Sequence, residues 1–309
     1  MAKFILKRLL TMIPVMLGVT VIVFTLMYIT PGDPVDSILA GDNATPEARE
    51  ALRVELGLDG GYFERLFRYI GGLLKGDLGI DYITRVPVLD RIVETFPTTI
   101  QLATSAIIVA TIIGITIGVI SAIKQYSLFD SLGMAFAMIG NSMPSFWEGL
   151  LLMLLFSLSW GLLPSTGIGT WKHMVMPVIV TGTHAMASIA RMTRSSMLEV
   201  IRSDFVTTAR SKGLRERLVI LCHALPNALI PIITVIGINF RNLLGGSVIA
   251  EAIFGIPGMG TMMVQAITQR NHQVVQGAIL VSALSLSVIN LVVDLLYTAV
   301  DPRIKTQYF

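Results

Sequence analysis

Six long apolar stretches, at 9–29, 100–123, 132–160, 174–190, 219–249 and 274–300, constrain this chain more than any other feature. A helix needs about 20 apolar residues to cross about 30 Å of hydrocarbon. Of the 309 residues, 53% are hydrophobic and 14% charged. A soluble domain carries about 25% charged residues, so lipid must cover much of this surface. The expectation is an all-α integral membrane protein with six transmembrane helices. The fourth stretch is short and rich in small residues such as Gly182, Ala185 and Ala187, which suits the inside of a bundle. The third and fifth exceed one bilayer thickness and should tilt or break. Asn141-Ser142-Met143-Pro144 and Gly245-Gly246 are the candidate breaks.

Basic residues set the orientation. Lys3, Lys7 and Arg8 precede the first stretch, and Arg303 and Lys305 follow the last. Between the fourth and fifth lie Arg191, Arg194, Arg202, Arg210, Lys212, Arg215 and Arg217, against Glu199, Asp204 and Glu216. Six spans put all of these on one side, which the positive-inside rule makes the cytoplasm. Both termini are therefore expected there. The net charge of +3 reflects this bias and implies no nucleic-acid partner. The first stretch exceeds a signal-peptide core and shows no clear cleavage site, so it reads as a retained span. The single Cys222 excludes an intrachain disulfide and is expected to pack at the start of the fifth span.

Two domains are expected. Residues 1–96 form an anchoring span with an external loop, and residues 97–309 form a five-span core with a cytoplasmic loop at about 191–226. Thr45-Pro46-Glu47 in the external loop combines a cap, a proline at the first helical position and an acidic first turn. A short amphipathic helix should run from there to about Leu56, and a second from Tyr62 to Leu74.

The loop after the fourth stretch carries a pattern. Thr207-Thr208-Ala209 is followed after three residues by Gly213, and nine residues later by His223-Ala224-Leu225-Pro226. This resembles the EAA loop of ABC-importer permeases. Pro31-Gly32-Asp33-Pro34, Leu56-Gly57-Leu58-Asp59, Gly76-Asp77-Leu78-Gly79 and Arg85-Val86-Pro87-Val88 resemble the N-terminal region of the dipeptide, oligopeptide and nickel permeases. So do Glu251-Ala252-Ile253-Phe254-Gly255-Ile256-Pro257-Gly258-Met259-Gly260, Val274-Val275-Gln276-Gly277 and the terminal Asp301-Pro302-Arg303 further on. The resemblance covers essentially the whole chain and is nearest to the "B" permease of these paired systems. Departures are Thr207-Thr208 for Glu-Ala, His223 for Ile, Asp81 where Ser is common, and His272-Gln273 where Tyr-Pro is usual.

The resemblance implies a type I ABC-importer permease fold and a set of partners. These are a second homologous permease, two ATP-binding subunits carrying ATP and Mg, and an extracytoplasmic substrate-binding protein. It implies that Asp204, Thr207, Thr208, Ala209, Gly213, Leu225 and Pro226 form the element that meets the ATPases. Ser203-Asp204 suits the start of a short helix there, and Gly213 suits its left-handed end. Phe254, Pro257, Gly258 and Gly260 lie where a gate or a binding-protein contact is implied. Charges in apolar stretches are costly and usually face a cavity or a partner. Glu148 and Arg241, with Asn239, are therefore candidates for the translocation path.

Catalysis is not expected. Gly71-Gly72-Leu73-Leu74-Lys75-Gly76-Asp77 has Asp77 where a P-loop needs Lys. Gly140-Asn141-Ser142-Met143-Pro144 lacks the second glycine of a serine-hydrolase elbow, and no H-E-x-x-H occurs. His173, His184, His223 and His272 form no i, i+4 pair, so no metal site is expected. Peptide is the first substrate expectation, and nickel or a nickel chelate the alternative. A stand-alone secondary transporter would need internal inverted repeats, of which none is visible.

Overall fold

In the computed structural model the described residues are 2–39 and 45–300, the side chains of 2–4, 37, 246 and 296–300 excepted. Asp301-Pro302-Arg303 and Lys305 lie outside the described residues, as does the side chain of Lys3. The helices in order are α1 Ala2–Ile29, α2 Pro34–Ile38, α3 Pro46–Glu55, α4 Tyr62–Leu73 and α5 Val88–Ile123. Next come α6 Leu128–Ser142, α7 Ser145–Leu152, α8 Trp171–Ile201, α9 Asp204–Ser211 and α10 Glu216–Leu218. The last are α11 Leu225–Gly246, α12 Val248–Phe254, α13 Met259–Thr268 and α14 His272–Val300. π-helical turns at Met153–Ser159 and Val219–Ala224 extend α7 and precede α11. Among the described residues no strand forms, only one isolated bridge between Ile80 and Pro87.

Among the described residues five helices are long and apolar enough to cross a membrane, and two bent pairs pass the same test as broken spans or re-entrant loops, giving five to seven: α12 with α13, and α6 with α7 and its π extension. That pair bends by 106° at Met143-Pro144, where the chain is extended. Proline disfavours helical backbone in the residue before it, so the expected break falls where the sequence places it. The break expected at Gly245-Gly246 comes just beyond those residues, as α11 ends at Gly246 and α12 begins at Val248. Pro226 has no N–H to offer the turn before it, and the π-helical geometry of Val219–Ala224 adjoins it.

The chain divides into two compact units. The first comprises Met1–Thr99 and Pro257–Val288, the second Ile100–Ile256 and Ile289–Phe309. Sequence order alone draws a single cut near residue 96. The first unit instead takes in Pro257–Val288, because Val88 and Ile92 share one buried cluster with Met259, Met262, Val274 and Val275. The Thr99 hydroxyl also accepts a 2.9 Å bond from the Met259 amide, at the first turn of α13.

Within the first unit the two short helices expected at Pro46 and Tyr62 form. Thr45 Oγ accepts from the Ala48 amide, and Pro46 opens α3. Asp33 accepts from the Val35 amide at 3.0 Å and pairs with Arg53. Phe24, Tyr28, Tyr62 and Tyr69 form an aromatic cluster that ties α1 to α4. Asp81 is fully buried and fastens the loop before α5. It accepts from the Ile83 and Thr84 amides, from Arg91, and from Asn271. Burial pushes this carboxyl up, but the amides of Ile83 and Thr84 and the Arg91 guanidinium together hold it below its ordinary value.

Within the second unit α8 is the central helix, packed by α6, α7 and α11. Its small residues permit this. A Cβ placed on Gly118 of α5 would lie 2.5 Å from Thr193 Cβ, and one on Gly182 would lie 3.0 Å from the Ala106 carbonyl oxygen. The inside position expected for the fourth span is thus observed. Asp130 of α6 makes a two-pronged ion pair with Arg194 of α8, both bonds 2.7 Å, and also accepts from the Tyr126 amide.

Candidate functional site

The first candidate is the short helix α9, which packs on α8 and on the π turn of Val219–Ala224. Val206 and Ala209 are its buried side, while Asp204, Thr207 and Thr208 are exposed. Ser203 stands at the N-cap, but its hydroxyl donates to the Val200 carbonyl at 2.6 Å and caps nothing. The anion of Asp204 at the positive end of the helix remains. Thr207 and Thr208 return their hydroxyls to the Ser203 and Asp204 carbonyls, which leaves a smooth outer face. Gly213 has φ +76°, the left-handed conformation that ends such a helix.

Two features of this element escaped the sequence reading. Arg210 clamps both carboxylate oxygens of Glu216 at 3.2 and 2.7 Å, closing the turn around Gly213. Phe205, Leu214 and Leu218 of the same segment are exposed. Where such a segment meets a partner, aromatic anchors carry much of the energy of the contact. An apolar residue directly after the N-terminal Asp204 was the available signal. Leu225 is half-buried and Pro226 is exposed at the start of α11. Cys222, expected to pack, is exposed. It lies on the outer side of the π turn, whose buried residues are Val219, Ile220 and Ala224.

The three path candidates do not come together. Glu148 is 8% exposed and accepts from the Thr183 hydroxyl at 2.6 Å, while its Oε2 is buried without a partner. It lines a cavity of ≈ 510 Å³ whose other walls are almost entirely apolar, including Phe136, Met143, Leu151 and Met186. Asn239 lines a different cavity of ≈ 290 Å³ with Ser145, Thr181, His184 and Asn242. Its side-chain amide donates to the Val235 carbonyl. Arg241 is exposed and lines neither cavity. His184 and Asn242 were missed as cavity residues. The i, i+3 spacing of Asn239 and Asn242 was the readable sign for the latter.

Of the gate candidates, Phe254 closes α12 fully buried, its carbonyl accepting from the Gly167 amide at 2.8 Å. Gly255 follows with φ +60°. Pro257 is exposed, and Gly258 and Gly260 are buried at the start of α13. The segment is a turn between two short helices, as its Gly and Pro content suggested.

The fold and this loop define a class of membrane permease. Residues 114–306 match the model of the binding-protein-dependent transport system inner membrane component, and residues 1–103 match that of its N-terminal region. The chain belongs to this family, and it is a non-catalytic membrane component. It is 41% identical to the dipeptide transport system permease protein DppB of Escherichia coli (strain K12), with 99% of each chain covered. It is 42% identical to DppB of Alkalihalophilus pseudofirmus, covering 99% of this chain and 100% of that one. To the glutathione transport system permease protein GsiC of Escherichia coli O6:H1 it is 39% identical, with 99% of each covered. Among solved structures, the inward-facing MetNI methionine ABC transporter matches with TM-score 0.59 at 19% identity, over 69% of this chain and 97% of that one. An amino acid ABC transporter matches with TM-score 0.55 at 15% identity, over 68% and 94%. The fold is that of a type I ABC-importer permease.

Proposed function

We propose that this chain is the permease subunit of an ATP-driven importer of di- or oligopeptides. The carrying observation is the end-to-end match, at 41% and 42% identity, to the dipeptide permeases of two bacteria. Glutathione, in the name of a third full-length relative, is itself a short peptide. That favours peptide over nickel.

In this reading a second permease pairs with the chain and an extracytoplasmic binding protein delivers substrate. Two ATPases carry ATP and Mg and dock on α9. Gly213 and the Arg210–Glu216 clamp hold α9 as a stiff lever, with Phe205 and Leu214 as its apolar contacts. ATPase closure displaces α9, and the buried Val206 and Ala209 pass the displacement to α8 and the start of α11. The spans then alternate between outward and inward openings. Glu148 with Thr183, and Asn239 with His184, are the polar groups offered to substrate, Arg241 lying outside both cavities. Phe254, Pro257, Gly258 and Gly260 serve the outer gate. Both termini lie in the cytoplasm.

The test is ATPase activity of the reconstituted complex with its binding protein, screened with di- to pentapeptides and with nickel salts. Peptide-stimulated turnover that Gly213→Asp abolishes is expected. Stimulation by nickel alone would overturn the substrate. Uptake without any ATPase subunit would instead favour a secondary transporter.

A further inference from the structure

Three helix faces of the first unit converge on a polar cavity that none of these roles uses. Each contributes a pair spaced i, i+4: Phe24 and Tyr28 from α1, Arg65 and Tyr69 from α4, His272 and Gln276 from α14. The space consists of two adjoining hollows of ≈ 200 Å³ each, which share Leu58, Arg65 and His272.

The polar groups here lack partners. His272 is 9% and Gln276 5% exposed, yet among the described residues neither side chain makes a hydrogen bond or ion pair. The Tyr69 hydroxyl is buried and unpartnered. The Arg65 guanidinium lies 5.3 Å from the Tyr28 ring centroid and pairs with no carboxylate among the described residues. The other charged residues lining the two hollows are already engaged, and Arg270, beside Gly32, lines neither. Arg68 pairs with Asp59 and Glu64, Asp33 with Arg53, and Asp77 accepts from the Gly79 amide. What remains is one cation and three neutral polar groups facing a common space, beside the positive end of α14. Water would satisfy single donors but would not neutralise Arg65.

We propose that this cavity is a carboxylate site. The guanidinium fork of Arg65 takes both carboxylate oxygens, the geometry for which arginine is suited. The Gln276 amide, His272 and the Tyr69 hydroxyl supply further hydrogen bonds. Phe24, Tyr28 and Leu58 form an apolar wall for the group attached. The source of the carboxylate rests on the peptide reading above: it is the C-terminus of a short peptide entering from the binding-protein side.

The assembled importer in nanodiscs, without its binding protein, is titrated calorimetrically with alanylphenylalanine, with its C-terminal amide, and with 3-phenylpropionate. The dipeptide and the acid should bind, and the amide at least tenfold more weakly. Arg65→Gln should abolish binding, with thermal unfolding of the variant checking its fold. Gln276→Leu, which leaves the cation in place, should weaken binding severalfold and serves if Arg65→Gln fails to assemble. Binding of 3-phenylpropionate that depends on Arg65, with no response to the dipeptide, supports the site and overturns its peptide source. Equal affinity for the dipeptide and its amide, or titrations unchanged by both variants, overturns the site.

Discussion

The Asn271 side-chain amide donates to Asp81 at 2.6 Å across 190 residues of sequence, fixing the loop before α5 to the residue that precedes α14. Gln273 reinforces the junction by accepting from the Ile80 amide at 2.5 Å. Asp81 and Gln273 are two of the departures from the resembled pattern, and each bonds a near sequence neighbour of the other. A carboxylate that also holds two amides and an arginine is a structural fastener.

Asp81→Ala should therefore destabilise the first unit by about 2–4 kcal/mol, since it strands a half-buried arginine and several donors. Thermal unfolding and proteolysis of the 76–87 loop measure this. The depressed carboxyl also sets a pH dependence. The unfolded chain binds this proton near pH 3.9. The contribution is complete above that value and is lost as pH falls through the lower folded value. The loop should become protease-sensitive only below about pH 4, and Asp81→Asn should remove that step.

The Asp130–Arg194 pair makes a second case. Arg194→Ala leaves a buried carboxylate uncompensated and should cost roughly 3–5 kcal/mol. Replacing both residues, as Asp130→Leu with Arg194→Met, should cost clearly less than either single change. Thermal melts of the four proteins in detergent test this, and a double variant as unstable as the sum of the singles would count against it.

At Gly213 the backbone is left-handed but the surrounding space is open, so a side chain meets strain and no collision. Gly213→Val should cost about 1–2 kcal/mol, or roughly five- to thirtyfold in the equilibrium of the docked state. Arg210→Ala should weaken ATPase association in the same direction by releasing the clamp. Phe205→Ala should do so without disturbing α9 itself. Co-purification of the ATPases with each variant reads these effects, with circular dichroism confirming helix content.

Thr183→Val removes the one hydrogen bond to Glu148 and leaves a buried carboxyl with no partner at either oxygen. A loss of roughly 1–3 kcal/mol is expected. Glu148→Leu combined with Thr183→Val should recover part of it, because an apolar pair suits the cavity walls. If Glu148 meets substrate, the double variant should be stable yet defective in uptake, a split that a purely structural role would not produce.

Much of this was legible in the sequence because it is local. Apolar length fixed the spans, Met143-Pro144 placed the break in the third, and Thr45-Pro46 and Gly213 marked a helix start and a helix end. Each depends on residues within a few positions, where backbone preference acts directly. The return of Pro257–Val288 to the first unit was not legible, since it depends on packing with Val88 and Ile92. The tertiary structure decided which polar residues meet. Asp130 finds Arg194 across 64 residues, Asp81 finds Asn271, and Arg65 faces His272 and Gln276 while Arg241 faces neither cavity. Pattern alone makes such residues look alike, charged or amide groups near apolar stretches. Whether one becomes a fastener, a cavity wall or a solvated side chain depends on how the helices pack and rotate, and that is set by the whole core rather than by neighbouring residues.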